Sequence, residues 1–152
     1  MNETHHLSFR RAVLCVNGSS SDRYVVEYAV SLAKPQKASL VALHVVEIDW
    51  TLPIDASVAE LSEEAQRVLD SAESAAERLG STLEPVLLQS RDVGAAIVDE
   101  ATAQEADLLV LGLGYRTRFG GDFVIGRTVP YVFKNAPCAV LVVREPMPQE
   151  NP

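Results

Sequence analysis

Five short apolar runs along the chain predict buried β-strands. In order they are Arg11–Val16, Ser39–Val46, Leu83–Leu88, Asp107–Leu111 and Cys138–Val143. Most positions within them are apolar on both alternating faces, a pattern typical of strands that are covered on both sides of a parallel sheet. None approaches the roughly 20 apolar residues that a membrane-spanning helix needs.

The segments between these runs carry apolar residues at helical spacing. They predict four helices, Asp22–Ala33, residue 58 to about Leu79, Ser90–Asp92 to about Ala103, and Thr128–Asn135. The order is βαβαβαβαβ, with no internal repeat or linker. Strands that alternate with amphipathic helices predict an α/β fold, a single open parallel sheet with helices on both faces.

The chain of 152 residues is long enough for one domain with its own core. We expect a flexible N-terminus at 1–9, one folded domain at 10–145 and a flexible tail at 146–152. The adjacent His5 and His6 then belong to a solvated end and not to a metal site, because two ligands without a third bind zinc poorly.

The net charge of the chain and the positions of its cysteines limit the partners and the cellular location that can be expected. A formal net charge of −8 disfavours nucleic acid and anionic membranes as partners, except at a local basic patch. Cys15 and Cys138 have neither CxxC nor metal spacing, so we interpret them as small core residues in a reducing compartment. The N-terminus lacks the apolar core of a secretory signal, which makes the cytoplasm the expected location.

The stretch from Ala106 to Val143 carries the strongest functional signal. A strand ends in a glycine-rich loop that contains Arg116 and Arg118, and Gly126-Arg127-Thr128 then opens a helix. Glycines let backbone N–H groups approach an anion, and a helix N-terminus carries partial positive charge. The stretch therefore predicts a phosphate site with its own local positive charge in an acidic chain.

A crevice for such a ligand is expected where strand order reverses in the sheet. The first strand is followed by Asn17-Gly18, and the fourth runs into Gly112. If those two strands are neighbours, their loops frame one crevice. The irregular segment around Trp50 and Pro53 is either a lid on this crevice, part of a dimer surface, or a loop folded on its own core.

Four pieces of the sequence, in this order, match one family. They are VLCVNGSSSDRYVVEYAVSLA, LVALHVVE, ADLLVLG and NAPCAVLVVR. Over residues 10–144 the chain resembles the universal stress protein (UspA-like) family. The resemblance implies strand order 3-2-1-4-5 in an adenine nucleotide hydrolase-like fold, ATP or another adenine nucleotide as ligand, with or without Mg²⁺, and a homodimer that pairs the last strands, here Cys138–Val143.

The resemblance and the residues together suggest where a nucleotide would lie. Adenine would rest against Cys15, Val45 and Leu111, with Asn17 near the ribose and phosphate. The phosphates would meet the backbone of the loop and the charge of one arginine, and these residues are Gly112, Gly114, Gly126, Arg127 and Thr128. We expect no catalytic residue and no protein metal site, which makes a stress-response binding module the leading interpretation.

The chain departs from the family's nucleotide-binding pattern G-x2-G-x9-G-[ST]. Gly112 and Gly114 are two residues apart, Gly126 comes one residue late, and Arg127 follows it in place of Ser or Thr. The family's usual Asp after the first strand is Asn17. These changes suit either a site rewired for a more anionic ligand or a decayed site in a dimeric interaction protein that binds no nucleotide. A slow hydrolase is a third reading, with Asp122 as its general base.

Overall fold

The structure is a computed structural model that describes residues 8–49, 58–117, 121 and 123–149, with the backbone only at 58–61. His5, His6, Trp50, Pro53, Arg118 and Asp122 lie outside the described residues, as do most of the N-terminal segment and the last three residues of the tail. The five strands are β1 (Arg11–Cys15), β2 (Ser39–Glu47), β3 (Glu84–Ser90), β4 (Leu108–Leu113) and β5 (Ala139–Arg144).

Four α-helices connect the strands. They are α1 (Asp22–Ala33), α2 (Val58–Arg78), α3 (Val93–Ala103) and α4 (Thr128–Asn135), with one 3-10 turn at Lys34–Gln36. The predicted element order is confirmed. Within the described ranges, no helix combines the length and the apolar character needed to cross a membrane.

The strands form one parallel sheet in the order β3-β2-β1-β4-β5, which confirms the expected topology. β1 pairs with β2 through Arg11–Ser39 and with β4 through Ala12–Leu108. The chain therefore moves outward from β1 to β3 on one side and from β4 to β5 on the other. The reversal of strand order lies between β1 and β4, where a ligand crevice is expected.

The sheet is covered by two apolar layers, one on each face. Alternate residues of β1 show the division, because Leu14 packs with α1 and α2 while Val13 packs with α3 and α4. Both side chains are fully buried. The helical spacing of apolar residues on α1 predicts an inward position for Tyr28 and Leu32, but this is wrong, because both are exposed and the buried stripe includes Val26 instead. The two exposed residues lie on the outer side of the helix, away from the sheet.

β4 runs further than the sequence predicted. We expected it to end before Gly112, but the strand continues to Leu113 because Gly112 and Leu113 pair with Val143 and Arg144 of β5. Backbone pairing needs no side chain, so a glycine at the end of an apolar run does not by itself end the strand. The glycine-rich loop consequently begins at Gly114.

Asp107 ties the starts of β1 and β4 together. Its carboxylate accepts the backbone N–H groups of Arg10 at 2.8 Å and Arg11 at 2.9 Å, and its own N–H donates to the Arg11 carbonyl. Some burial works to raise the pKa of Asp107, but these hydrogen bonds outweigh it and the pKa lies below the ordinary value.

We expect Asp107→Asn to lower the free energy of unfolding by about 1 kcal/mol at neutral pH, because one charge-assisted contact at an exposed site is weakened. A lowered folded-state pKa stabilises the protein above the unfolded pKa, and this stability is lost as the pH falls through the folded pKa. Urea unfolding at pH 7 and near pH 3 measures the difference, which should shrink at the lower pH. A constant difference would contradict this assignment.

Candidate functional site

A cavity of about 320 Å³ opens at the C-terminal ends of β1 and β4, beside the first turns of α1 and α4. It lies at the reversal of strand order, as the topology predicts. The structure brings together the nine residues that the sequence nominated for contact with a nucleotide, whereas Arg118 and Asp122 lie outside the described residues. The predicted residues on its wall are Cys15, Asn17, Val45, Leu111, Gly112, Gly114, Gly126, Arg127 and Thr128.

One wall of the cavity is apolar and continues the core layer under α3 and α4. Leu111 belongs to that layer, and Cys15 and Val45 pack against it. The sequence reasoning missed two further members of the wall, Leu43 and Ile97. The signal for Leu43 was available, since it shares a strand face with Val45, two residues further along β2.

The Cys15 thiol lies in this apolar wall. Burial raises its pKa to about 12, and the charge of Asp22 adds to the effect. Cys15 therefore stays a neutral thiol at physiological pH and contributes an apolar surface, as the sequence reading expected. It is not a nucleophile, because the thiolate is the reactive form.

The loop after β1 is organised by a carboxylate that the sequence reasoning did not single out. Asp22 accepts the backbone N–H of Asn17 at 3.0 Å and that of Gly18 at 2.7 Å. Burial raises the pKa of Asp22 although these two N–H groups favour the ionised form. The Asn17 N–H on the cavity wall and the N–H of its neighbour Gly18 are thus already occupied by a side chain of the protein.

Asn17 and His44 are both held within this region. The Asn17 side-chain oxygen accepts the Ser19 N–H at 3.0 Å, and its amide NH₂ group has no hydrogen-bond acceptor among the residues that the structure describes. The His44 ring nitrogen Nδ1 lies 2.8 Å from the Val16 carbonyl oxygen. A carbonyl only accepts, so Nδ1 carries the proton there. The place of His44 inside an apolar strand predicts a buried, hydrogen-bonded histidine; the hydrogen bond is present, and the side chain is partly buried.

Gly112 is a packing glycine. A Cβ built on it would lie 2.7 Å from Ser21 Oγ and 2.8 Å from Val25 Cγ2, distances that no relaxed side chain adopts. β4 therefore approaches the start of α1 closely because this position has no side chain. Ser21 is almost fully buried, and its hydroxyl is hydrogen-bonded to that of Ser19 at 2.7 Å.

Gly126 has a different role at the start of α4. Its φ is +79°, in the left-handed region that favours glycine, and a Cβ there would meet nothing within 4 Å. Arg127 follows as the N-cap residue but its side chain makes no capping hydrogen bond. Its exposed guanidinium has no hydrogen bond or ion pair with any residue that the structure describes. The free N–H groups of a helix start, at Thr128 and Val129, border the cavity beside it.

The loop between β4 and α4 folds back on itself. Thr117 and Phe123 form an isolated antiparallel bridge, and the Val124 N–H donates to the Arg116 carbonyl at 2.9 Å. The rings of Tyr115 and Phe123 lie 5.4 Å apart. This fold places Arg116 on the cavity wall together with Arg127.

Glu145, just after β5, is a second carboxylate on the cavity wall. It accepts the Ser20 hydroxyl at 2.6 Å and the Tyr115 backbone N–H at 3.0 Å. These two hydrogen bonds hold the pKa of Glu145 below its ordinary value, and the bond from the Ser20 hydroxyl has the larger effect. It lies 125 residues from Ser20 along the chain, so no local motif could have predicted the contact.

Residues 8–144 match the model of the universal stress protein family. The chain belongs to this family. The universal stress protein MJ0531 of Methanocaldococcus jannaschii is 30% identical over 144 residues, which cover 91% of this chain and 84% of that protein.

Solved universal stress proteins share the fold. The protein from Archaeoglobus fulgidus in complex with dAMP superposes with a TM-score of 0.69 at 21% identity, over 91% of this chain and 99% of that one. An Arabidopsis thaliana family member with AMP bound gives a TM-score of 0.63 at 17% identity, over 90% of this chain and 92% of that one. At these identities the likeness establishes the fold.

In the residues that the structure describes, no cluster of three or more His, Cys, Asp or Glu side chains could hold a metal ion. The donors on the cavity wall are mainly backbone N–H groups, hydroxyls and guanidinium groups, which suit anions. A Mg²⁺ that accompanied a nucleotide would thus be held largely by the phosphates themselves. The arrangement is suited to binding an amphipathic anion, with an apolar part on one wall and an anionic part on the other.

Proposed function

We propose that this universal stress protein binds an adenine nucleotide in the cavity between β1 and β4 and acts as a regulatory binding module in a stress response. The observation that carries the proposal is the meeting of an apolar wall and two arginines, Arg116 and Arg127, around one cavity at the reversal of strand order. Structural relatives solved with dAMP and AMP support it.

The proposed orientation assigns each wall to one part of the nucleotide. The adenine packs against Cys15, Val45 and Leu111, which line the apolar wall of the cavity. The Asn17 amide faces the ribose and the first phosphate. The remaining phosphate oxygens receive hydrogen bonds from the backbone around Gly114 and from the start of α4, with Arg127 supplying positive charge.

Arg127→Ala tests this orientation. The guanidinium has no described partner, so its removal leaves the fold intact, whereas the phosphates lose one charge-assisted contact. We expect AMP and ATP to bind roughly tenfold more weakly and adenosine to bind unchanged. The measurement is calorimetric titration of nucleotide-stripped protein with each ligand.

Arg10→Ala is the matched control for that experiment. It removes the same charge from the residue just before β1, at the N-terminal ends of the strands and away from the cavity. The backbone N–H of residue 10 remains available to Asp107. Equal weakening by both substitutions would mean that Arg127 acts only through the net charge. The absence of heat with any of the three ligands would reject nucleotide binding in this cavity.

A second candidate function is that of an interaction protein that binds no nucleotide. It is favoured by the altered glycine spacing and by Asp22 and Glu145, which already occupy the Asn17 and Tyr115 N–H groups and the Ser20 hydroxyl around the cavity. A protein that binds neither adenosine nor AMP but elutes with a stable partner would establish this function.

We also propose that the protein is a homodimer through its last strand. Among the described strands, β5 pairs only with β4 and forms one edge of the sheet, so its outer backbone groups are available for a second copy. Sedimentation equilibrium would distinguish twice the 16.5 kDa chain mass from a monomer.

A further inference from the structure

We propose that Glu145 is a specificity-determining residue that makes the site favour adenine ligands with few phosphate charges. Its carboxylate occupies donors on the phosphate side of the cavity and repels each additional phosphate. The inference rests on the proposed nucleotide function and extends it to the choice among nucleotides.

The Glu145 carboxylate accepts hydrogen bonds in the way that a bound anionic ligand would. One carboxylate oxygen accepts the Ser20 hydroxyl at 2.6 Å and the other accepts the Tyr115 N–H at 3.0 Å. Ser20 lies just before α1, and Tyr115 lies in the glycine loop directly after Gly114. A phosphate oxygen would seek the same kinds of donor, because both groups are anionic acceptors.

The backbone holds this carboxylate in place. The Glu145 N–H donates to the Leu113 carbonyl at 2.8 Å, which extends the pairing of β4 and β5 by one further hydrogen bond. The Glu145 Oε1 atom also lies only 3.4 Å from the position that a Cβ on Gly114 would take. The pairing of β4 and β5 therefore fixes the position of the Glu145 side chain, which lies directly against the glycine-rich loop.

The charges on the cavity wall explain why the phosphate number matters. Among the described residues of the wall, Arg116 and Arg127 are positive and Asp22 and Glu145 are negative. The pairs offset each other, so the wall has little net attraction for a highly charged ligand. Glu145 is ionised at neutral pH, as an ordinary glutamate is, and the hydrogen bonds from Ser20 and Tyr115 lower its pKa further. Each phosphate added within a few ångströms of this carboxylate meets a repulsion at short range, which solvent and Arg116 weaken but do not remove.

A purely structural role for Glu145 makes a different prediction. The residue joins the end of β5 to the start of α1, and if that were its only function, its loss would affect stability alone. The affinities for adenosine, AMP and ATP would then keep their ratios. Two measurements on the same variants separate the roles: how the affinity depends on the charge of the ligand, and how stable each variant is.

The experiment is calorimetric titration of wild-type protein, Glu145→Gln and Glu145→Ala with adenosine, AMP and ATP. Glutamine removes the charge and keeps an acceptor for Tyr115, whereas alanine also frees the donors. We expect adenosine to bind unchanged, AMP a few-fold more tightly and ATP roughly tenfold more tightly to Glu145→Gln, with a larger gain for ATP in Glu145→Ala.

Glu77→Gln is the control, because it removes the same charge from an exposed position on α2 that does not line the cavity. Unchanged ratios of ATP to adenosine affinity in both Glu145 variants would overturn the inference and leave nucleotide binding standing. An equal gain in Glu77→Gln would also overturn it. If wild type and variants alike bind none of the ligands, the proposed function fails and the inference fails with it.

Discussion

Gly112→Ala is expected to lower the free energy of unfolding by about 2–3 kcal/mol, the cost of forcing an extra methyl group into a closely packed contact. The new Cβ would lie 2.7 Å from Ser21 Oγ and 2.8 Å from Val25 Cγ2. Neither neighbour can retreat easily. Ser21 is 2% exposed, and Val25 is fully buried against the sheet. Relief requires β4 and α1 to separate, which disturbs both sides of the cavity.

Gly114→Ala is the matched control, two residues along the same segment. Its Cβ would meet only the carboxylate end of Glu145 at 3.4 Å, which is ordinary contact distance. We expect a change within about 0.5 kcal/mol for this variant. Thermal unfolding measures both, and about 2–3 kcal/mol corresponds to a decrease in Tm of roughly 5–10 °C for a domain of this size. Similar Tm values for the two variants would contradict the packing role of Gly112.

The contrast between these glycines shows what the sequence could and could not predict. The pattern marked Gly112, Gly114 and Gly126 alike as phosphate-binding candidates, and all three border the cavity. Only the structure separates them, since Gly112 makes room for α1 and Gly126 adopts a positive φ before α4. Identical residues in one motif differ because their neighbours come from distant parts of the chain.

The fold itself was more accessible from the sequence. Continuous apolar runs and helical periodicity locate β1, α1 and α4 with bounds within one residue of those observed. These elements depend on local patterning and on burial of one face, which the sequence records directly. The order of strands is not local, and it followed from the family resemblance together with the chain order.

The sequence did not identify the two carboxylates of the site, those of Asp22 and Glu145. Asp22 is the first residue of α1, where an acidic residue is ordinarily interpreted as favourable to the helix dipole. Its carboxylate instead accepts the N–H groups of Asn17 and Gly18, and Glu145 does the same for Tyr115. The net charge of the chain could not indicate these contacts. The charge of the cavity wall depends on where the two acidic side chains lie and not on how many the chain contains.

These carboxylates change how the departures from the family pattern are interpreted. Asn17 removes one negative charge beside the cavity and Arg127 adds a positive one, which together would favour a more anionic ligand. Asp22 and Glu145 oppose that trend from the same wall. The charges on the cavity wall are thus balanced between attraction and repulsion for an anion, so under the proposed function the choice among nucleotides would depend on single side chains rather than on the overall fold.

Leu43→Ala and Leu14→Ala form a pair that separates the cavity from the core. Both side chains are fully buried, and they point to opposite faces of the sheet. Leu43 lines the apolar wall of the cavity, whereas Leu14 packs under α1 and α2. Deleting either should lower the free energy of unfolding by about 2–5 kcal/mol. We expect the larger value for Leu14→Ala, because the void that it leaves is closed to solvent.

Ligand affinity should respond to only one of them. Leu43→Ala removes part of the proposed adenine surface, and we expect adenosine and AMP to bind roughly tenfold more weakly, by the same factor, because the lost contact is apolar and independent of phosphate. Leu14→Ala should bind both ligands like wild type. Titrations at a temperature where urea unfolding shows both variants folded make the comparison. Equal affinities in the two variants would place the adenine elsewhere, and equal losses would mean that affinity reports only on stability.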